Sequence, residues 1–519
     1  MSFSEAIEKF NNSKVKLLAE KIFSSYYFPF VTAAVTVLST TFGLEPLIIW
    51  YICIIGAAIC LCCKDVSPCI CLFVFMHSII SMQHSPYSRV EWCDPTYMTS
   101  VAFIVTTTIA ILIFAGSCVY RIVDSIMKHR FKITPIFWGL CAYLVALLLN
   151  GLFSSKYYFM DTVYGLGMGA IIMFMFVFIS GNVEINQTTY KRIAFTFIAF
   201  SITLAIQLLV AYITLDVVVD GVINRAKIQF GWGTYNQFGM LITTCIPAWF
   251  YLATKYKNGY LFLLGVPINM LISVFSMSRQ AILMSLVLVV ACFIWYLIIV
   301  PKKQKLYGSA IILGSALIYL IVILVKTDEI LKLFSNITFN PNPGGGGSGG
   351  GTGGGSSGGG SGSGTAGGIA GISSGRTDIW LDGLKKFMHN PIFGNGFYDL
   401  TATKINIPGY NGAGYGFTEV IPFMCHNTVI QLLFSCGIVG LIAYVVHRTQ
   451  TVISLINNPE NGRFFIAFAE CGILLTSLLD NHIFYPLPLF IYAPLLAVFT
   501  ISEKTGEGVK ETDNVRKED

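Results

Sequence analysis

The stretch SMSRQAILMSLVLVVACFIWYLIIVPKKQK, Ser276–Lys305, decides the fold class. An arginine, Arg279, stands before an uncharged apolar run, Ala281–Val300, and the basic PKKQK (Pro301–Lys305) follows it. As a helix rising 1.5 Å per residue, such a run covers about 30 Å, the thickness of a bilayer's hydrocarbon core. Apolar runs of roughly 18 to 25 residues recur along the whole chain. Of its 519 residues 55% are hydrophobic and only 12% charged, and the mean hydropathy is +0.69. A soluble protein of this length carries about twice that charge. The fold class is therefore all-α, a polytopic transmembrane helical bundle.

Outward from that run, the apolar pattern predicts about fourteen spans, with 12 to 14 as the range. They are Ile22–Phe42, Pro46–Cys63, Val66–Gln83, Ser100–Val123, Pro135–Ser154, Tyr158–Ser180, Ile193–Leu215, Gln237–Thr254, Tyr260–Met277, Ala281–Val300, Gly308–Lys326, Thr428–Val446, Phe464–Leu479 and Phe484–Ile501. Residues 1–326 thus hold the first eleven, 327–427 form one long loop, 428–501 hold the rest, and 502–519 are a charged tail. Lys9, Lys14, Lys16 and Lys21 precede the first span without a small-residue cleavage site, which predicts an uncleaved first helix.

Charge sets the expected orientation. With a cytoplasmic N-terminus, Lys128–Lys132, Lys191–Arg192, Lys255–Lys257, Pro301–Lys305, His447–Arg448 and the tail all fall on the cytoplasmic side, as the positive-inside rule requires. Arg279, the long loop and Asp480–Pro486 then face outward. The net charge of +6 is dispersed over short loops, so it is no nucleic-acid signal. Most of the fourteen cysteines lie inside apolar runs and read as small hydrophobes. Cys93 and Cys425 share the outer side, which allows one bridge. The Cys62–Cys63 pair has no His or Cys at ligand spacing, so no metal site is expected.

The long loop has two unlike halves. Gly344–Gly371 is nearly all Gly and Ser and reads as a tether, whether natural or engineered. The active half is 374–427. There Ile379, Trp380, Gly383, Leu384 and Phe387 give Thr377–His389 the pattern of an amphipathic helix, stopped by Asn390-Pro391. This helix is expected on the outer membrane surface, with Trp380 and Phe387 turned inward.

Several of these pieces together resemble the O-antigen ligase and polysaccharide polymerase superfamily. They are Arg376-Thr-Asp-Ile-Trp, His389-Asn-Pro-Ile-Phe-Gly-Asn-Gly-Phe, and His426-Asn427 before a span carrying Gly437-Ile-Val-Gly440. Upstream, Ser278-Arg279-Gln280-Ala281 and Gly233-Thr-Tyr-Asn236 resemble two further segments of that family. The specific likeness covers roughly 225–445, and the Gly/Ser tract is an insertion ahead of it. The resemblance implies an enzyme of the bacterial cytoplasmic membrane that moves a glycan from an undecaprenyl-diphosphate carrier to an acceptor hydroxyl on the outer face. The acceptor is a lipid-linked repeat unit in a polymerase or lipid A core in a ligase. No nucleotide sugar, cofactor or metal is implied, and transfer inverts the anomeric centre.

In that frame His426 is the general base, because a neutral imidazole accepts a sugar hydroxyl's proton near pH 7. Arg279 and Arg376 hold the diphosphate, which guanidinium groups bind bidentately. Asn427, Asn236 and Arg225 are expected to bind substrate. Each has a plainer reading beside it: interfacial anchor for Arg279, helix-start ion pair for Arg376, helix cap for His426 and both asparagines. Two other classes compete with the enzyme, a flippase for lipid-linked oligosaccharide and a non-enzymatic membrane scaffold. The flippase predicts charged residues at mid-membrane depth.

Overall fold

The computed structural model describes residues 14–42, 44–78, 100–131, 133–154, 158–214, 218–219, 222–223, 235–325, 376–398 and 424–502. The Gly/Ser tract, Cys93, Arg225 and most of the long loop lie outside the described residues. The rest is helical. In chain order come α1 (Lys14–Phe23), α2 (Phe28–Thr41), α3 (Glu45–Cys62), α4 (Pro68–Phe75), α5 (Val101–Met127), α6 (Pro135–Leu148), α7 (Tyr158–Asn182) and α8 (Gln187–Thr214). A ribbon of two-residue strands, β1 (Val218–Val219) and β2 (Val222–Ile223), precedes α9 (Tyr235–Lys255). Then follow α10 (Gly265–Phe275), α11 (Arg279–Ile299), α12 (Lys302–Val325), α13 (Arg376–Phe387), α14 (Thr428–Asn457), α15 (Asn461–Ser477) and α16 (Pro486–Ser502).

Among the described residues, six helices are long and apolar enough to cross a membrane: α5, α7, α8, α11, α12 and α14. The pair α1 and α2, bent by 77°, makes up to seven. Each of the fourteen expected runs does hold a helix, yet several are short. In Val66–Gln83, α4 ends at Phe75 and a 3₁₀ turn covers Met76–Ser78. The molecule is a multi-pass helical membrane protein.

α9 is buried continuously from Phe238 to Ala253 and packs against α8, α10, α11 and α15. A helix with no lipid-facing side need not be uniformly apolar. Its threonines stay satisfied because Thr243 and Thr244 donate to the carbonyls of Gly239 and Met240, both at 2.8 Å. At Gly239 a side chain would meet the Ala281 Cβ at 2.5 Å, so α9 and α11 touch there and their N-terminal ends lie side by side.

Two expectations about charge need correction. Lys191 and Arg192 lie within α8, and Lys302–Lys305 form the first turn of α12, so these are helix ends rather than loops. Long basic side chains can run along a helix end and keep the charge in water. His447 and Arg448 are not in a loop either, because α14 continues to Asn457. Arg448 is satisfied within the bundle by Glu470 at 2.5 Å and by the Tyr492 hydroxyl at 3.2 Å. Water is not needed to keep that charge.

Candidate active site

Three helix ends meet at one pole of the bundle: the N-termini of α9, α11 and α14. The turn after α15, Asp480–Tyr485, closes over them. Asp480 is the hub. Its Oδ1 accepts from His426 Nδ1 at 2.9 Å and from the Asn481 amide at 2.8 Å, while Oδ2 accepts from Asn236 Nδ2 at 3.0 Å. Asn236 Oδ1 in turn accepts from Ser278 Oγ at 3.1 Å. The Gln280 amide donates to the Asn236 carbonyl at 3.3 Å and sits 2.7 Å from His482 Nε2.

The electrostatics of this hub favour an anion. Burial opposes ionisation of Asp480. The His426 hydrogen bond, with the nearby His482 and His426 charges and the Asn481 amide, outweighs it and holds the carboxyl well below the usual carboxylate range. Asp480 is thus a carboxylate that only accepts hydrogen bonds, so His426 Nδ1 must carry a proton. In the neutral ring the lone pair is then on Nε2. The His426 side chain is 36% exposed while Asp480 is 6% exposed, so the imidazole is open to a substrate and its partner is not. His426 also holds φ +51°, a left-handed conformation uncommon for a side chain-bearing residue.

The other sequence-predicted residues are placed as follows. Arg279 is the first residue of α11, after Ser278 caps that helix by accepting from the Ala281 amide. Arg376 is the first residue of α13; its side chain and all of Arg225 fall outside the described part. Asn427 is the N-cap of α14: its Oδ1 accepts from the amides of Val429 and Ile430, and its Nδ2 donates to the Leu478 carbonyl at 3.0 Å. That asparagine fastens α14 to the end of α15. Asn236 binds Asp480 Oδ2, the carboxylate oxygen that His426 does not contact. Asp480 and Gln280 were not singled out by the sequence reading. The signal for Asp480 was an Asp-Asn-His triplet standing alone between two apolar runs.

α13 is held close to this pole. Gly383 faces Cys425 and Ile430, where a side chain would sit 3.1 and 3.3 Å from their atoms. The turn after α13, Asn390–Phe397, is clipped into a break in α14 at Gly437, whose φ of 65° and ψ of −161° are not helical. The break frees two amides and two carbonyls. Ile438 N donates to the Pro391 carbonyl at 2.8 Å and Val439 N to the Ile392 carbonyl at 3.2 Å. In return Asn395 N and Gly396 N donate to the carbonyls of Phe434 and Ser435, at 2.7 and 3.1 Å. A broken membrane helix survives only if another segment satisfies its backbone in this way. Beyond the clip, Asp161 at the start of α7 accepts from the amides of Phe397 and Tyr398, both at 2.8 Å.

Fold and site define a class: a multi-pass helical membrane protein with a histidine–carboxylate pair at one pole and an arginine at a neighbouring helix start. A family model described as O-Antigen ligase matches residues 261–445, so that stretch is similar to the family. The match takes in Arg279, Arg376, the clip, His426 and Asn427. It begins at 261, so the expected likeness over residues 225–260, with Asn236, falls outside it, as does Asp480. No curated protein matches the chain.

Proposed function

We propose that this protein transfers a glycan from an undecaprenyl-diphosphate carrier to an acceptor sugar hydroxyl at the outer face of the cytoplasmic membrane. The observation that carries the proposal is the 2.9 Å bond from His426 Nδ1 to Asp480, which leaves the lone pair on Nε2 of a side chain that is 36% exposed. The acceptor hydroxyl gives its proton to Nε2 as its oxygen attacks the anomeric carbon. The bond from that carbon to the carrier diphosphate breaks, and the diphosphate leaves as an anion. Direct attack from the opposite side inverts the centre. Arg279 and Arg376 hold the leaving diphosphate, and the positive end of the α11 dipole adds to the field there. The Asp480 carboxylate stabilises the imidazolium that forms, as the buried carboxylate of a hydrolytic triad does. No metal takes part.

The outward direction of the site is supported by the opposite pole, where Lys64, Arg121, Lys191, Arg192, Lys255 and Lys302–Lys305 collect. The acceptor is a lipid-linked repeat in a polymerase or lipid A core in a ligase. The flippase reading predicts charge at mid-depth, whereas Arg448 lies about 30 Å along α14 from the site pole and is paired there.

The test is purified protein with a lipid-diphosphate glycan and an acceptor. New glycosidic bonds and released carrier diphosphate are expected, unchanged by a chelator. His426→Ala abolishes them while carrier binding persists. Arg279→Ala weakens donor use, and Arg279→Lys restores part of it, since an ammonium cannot reproduce the guanidinium fork. Movement of the lipid between leaflets without bond formation would instead indicate a flippase, and neither activity a scaffold. Near-normal turnover in His426→Ala would remove the base.

A further inference from the structure

At the pole opposite the site, a cavity of about 310 Å³ opens among the ends of α3, α7 and α16 and the turn between α5 and α6. Its polar wall is graded. Arg130 stands at the lining, held only loosely by Asp124 Oδ2 at 3.7 Å, and it shares that carboxylate with Lys128, which is on Oδ1 at 2.5 Å. Lys64 and Glu184 neutralise each other at 2.8 Å. The guanidinium is therefore the net charge of the cavity. Away from it the wall turns to acceptors. Asn182 is only 5% exposed, its Nδ2 donates to the Phe178 carbonyl, and among the described residues its Oδ1 has no partner. Such an acceptor, buried and unmet, asks for a donor.

The surroundings say how an occupant arrives. Ile126, Met127, Ile133 and Trp138, on the same turn and the helices it joins, are all exposed apolar side chains. In a membrane protein that surface is lipid-facing, and a tryptophan there belongs at headgroup level. Helix C-termini end at the cavity, and their carbonyl-rich ends disfavour a bare anion deep inside. They suit a hydroxyl donor. We propose that this cavity is a headgroup site for an anionic glycerophospholipid, with the phosphodiester on Arg130 and a headgroup hydroxyl donating to Asn182 Oδ1. Acyl chains lie along the exposed wall beside Trp138. Basic pockets between helices are known places for such headgroups.

The full chain, purified and delipidated in detergent, is titrated with phosphatidylglycerol, phosphatidic acid and phosphatidylethanolamine and read by native mass spectrometry. One phosphatidylglycerol is expected to be retained in preference to both others, since phosphatidic acid lacks the hydroxyl and phosphatidylethanolamine the net charge. Arg130→Gln weakens that retention about fivefold, the worth of one basic residue at a membrane surface. Lys303→Gln, an exposed lysine at the same pole, leaves it unchanged. Displacement of the lipid by an equal concentration of inorganic phosphate would make free phosphate the occupant and overturn the lipid assignment. Equal retention of phosphatidylethanolamine, or equal loss in the two variants, would overturn the site itself.

Discussion

At the residue scale, the chemistry of the site pole turns on which nitrogen of His426 carries a proton. Asp480 decides it. An asparagine at 480 can turn its NH2 toward Nδ1 and so invert the tautomer, leaving Nε2 protonated and unable to act as a base. Asp480→Asn is therefore expected to cut transfer by about a hundredfold or more, the usual worth of a positioned general base. A thermal melt should show the fold retained, and donor KM should move far less than kcat. A loss confined to KM would mean that Asp480 serves binding instead. The pH sign follows from the depressed carboxyl. Stability contributed by its ionisation is fully present above the ordinary value of 3.8 and is lost only as pH falls below that, through the folded value. An acidic limb in the activity profile between pH 5 and 7 therefore does not come from Asp480. His426 was legible because it stands in a local motif beside Asn427. Asp480 was not, because it lies 54 positions further on and only packing brings it back. For Asn427 the cap reading describes its contacts, since both ends of the amide bond backbone groups.

At the element scale, α13 and α14 act as one unit because each completes the other's backbone. The amphipathic pattern foretold α13, and Asn390-Pro391 foretold its end. What the sequence hid was the use of the turn, since its partner is a break inside an otherwise ordinary apolar run. The resemblance marked Gly437-Ile-Val-Gly440, but hydropathy alone does not tell Gly437, at φ 65°, from Gly116 within α5. The contrast supplies a test. A Cβ on Gly437 would overlap the Ile392 carbonyl in a backbone region that L-residues avoid, whereas a Cβ on Gly116 meets nothing within 4 Å. Gly437→Ala should destabilise the protein by about 1–3 kcal/mol. Gly116→Ala should be neutral, or stabilising by up to about 1 kcal/mol from helix propensity. Thermal unfolding of the two purified variants checks this. A Gly437→Ala protein as stable as the parent would mean that the break is not held by the clip.

At the scale of the whole molecule, the two poles are chemically unlike, and this makes orientation testable. One pole gathers the basic helix ends: Arg192 reaches Asp65 at 3.0 Å and the Ser24 carbonyl at 2.8 Å. Arg121 donates to the carbonyls of Cys63 and Lys64, Gln304 bridges to those of Tyr256 and Lys257, and Lys191 lies over the Tyr256 ring. The charge pattern expected Lys191–Arg192, Lys255–Lys257 and Pro301–Lys305 on one side, but it also counted His447–Arg448, which lie within α14. It did not foretell which helices would be long: the largely buried α15 and α16 have 17 residues each, while α9, of 21, relaxes only in hydropathy. With the basic pole in the cytoplasm, as we propose from the positive-inside rule, Met388, exposed just after α13, is expected on the outer face. Met388→Cys and Lys303→Cys, each compared with the parent chain, can be treated with a membrane-impermeant maleimide on spheroplasts and on inside-out vesicles. Within each preparation the native cysteines give parent and variant the same background, so only added labelling counts. Met388→Cys should gain label on spheroplasts, and Lys303→Cys only on inside-out vesicles. The reverse pattern would turn the molecule over. His426 would then meet the cytoplasm, where a carrier-linked glycan already delivered to the outer leaflet is out of reach, and the proposed reaction would fail on geometry alone.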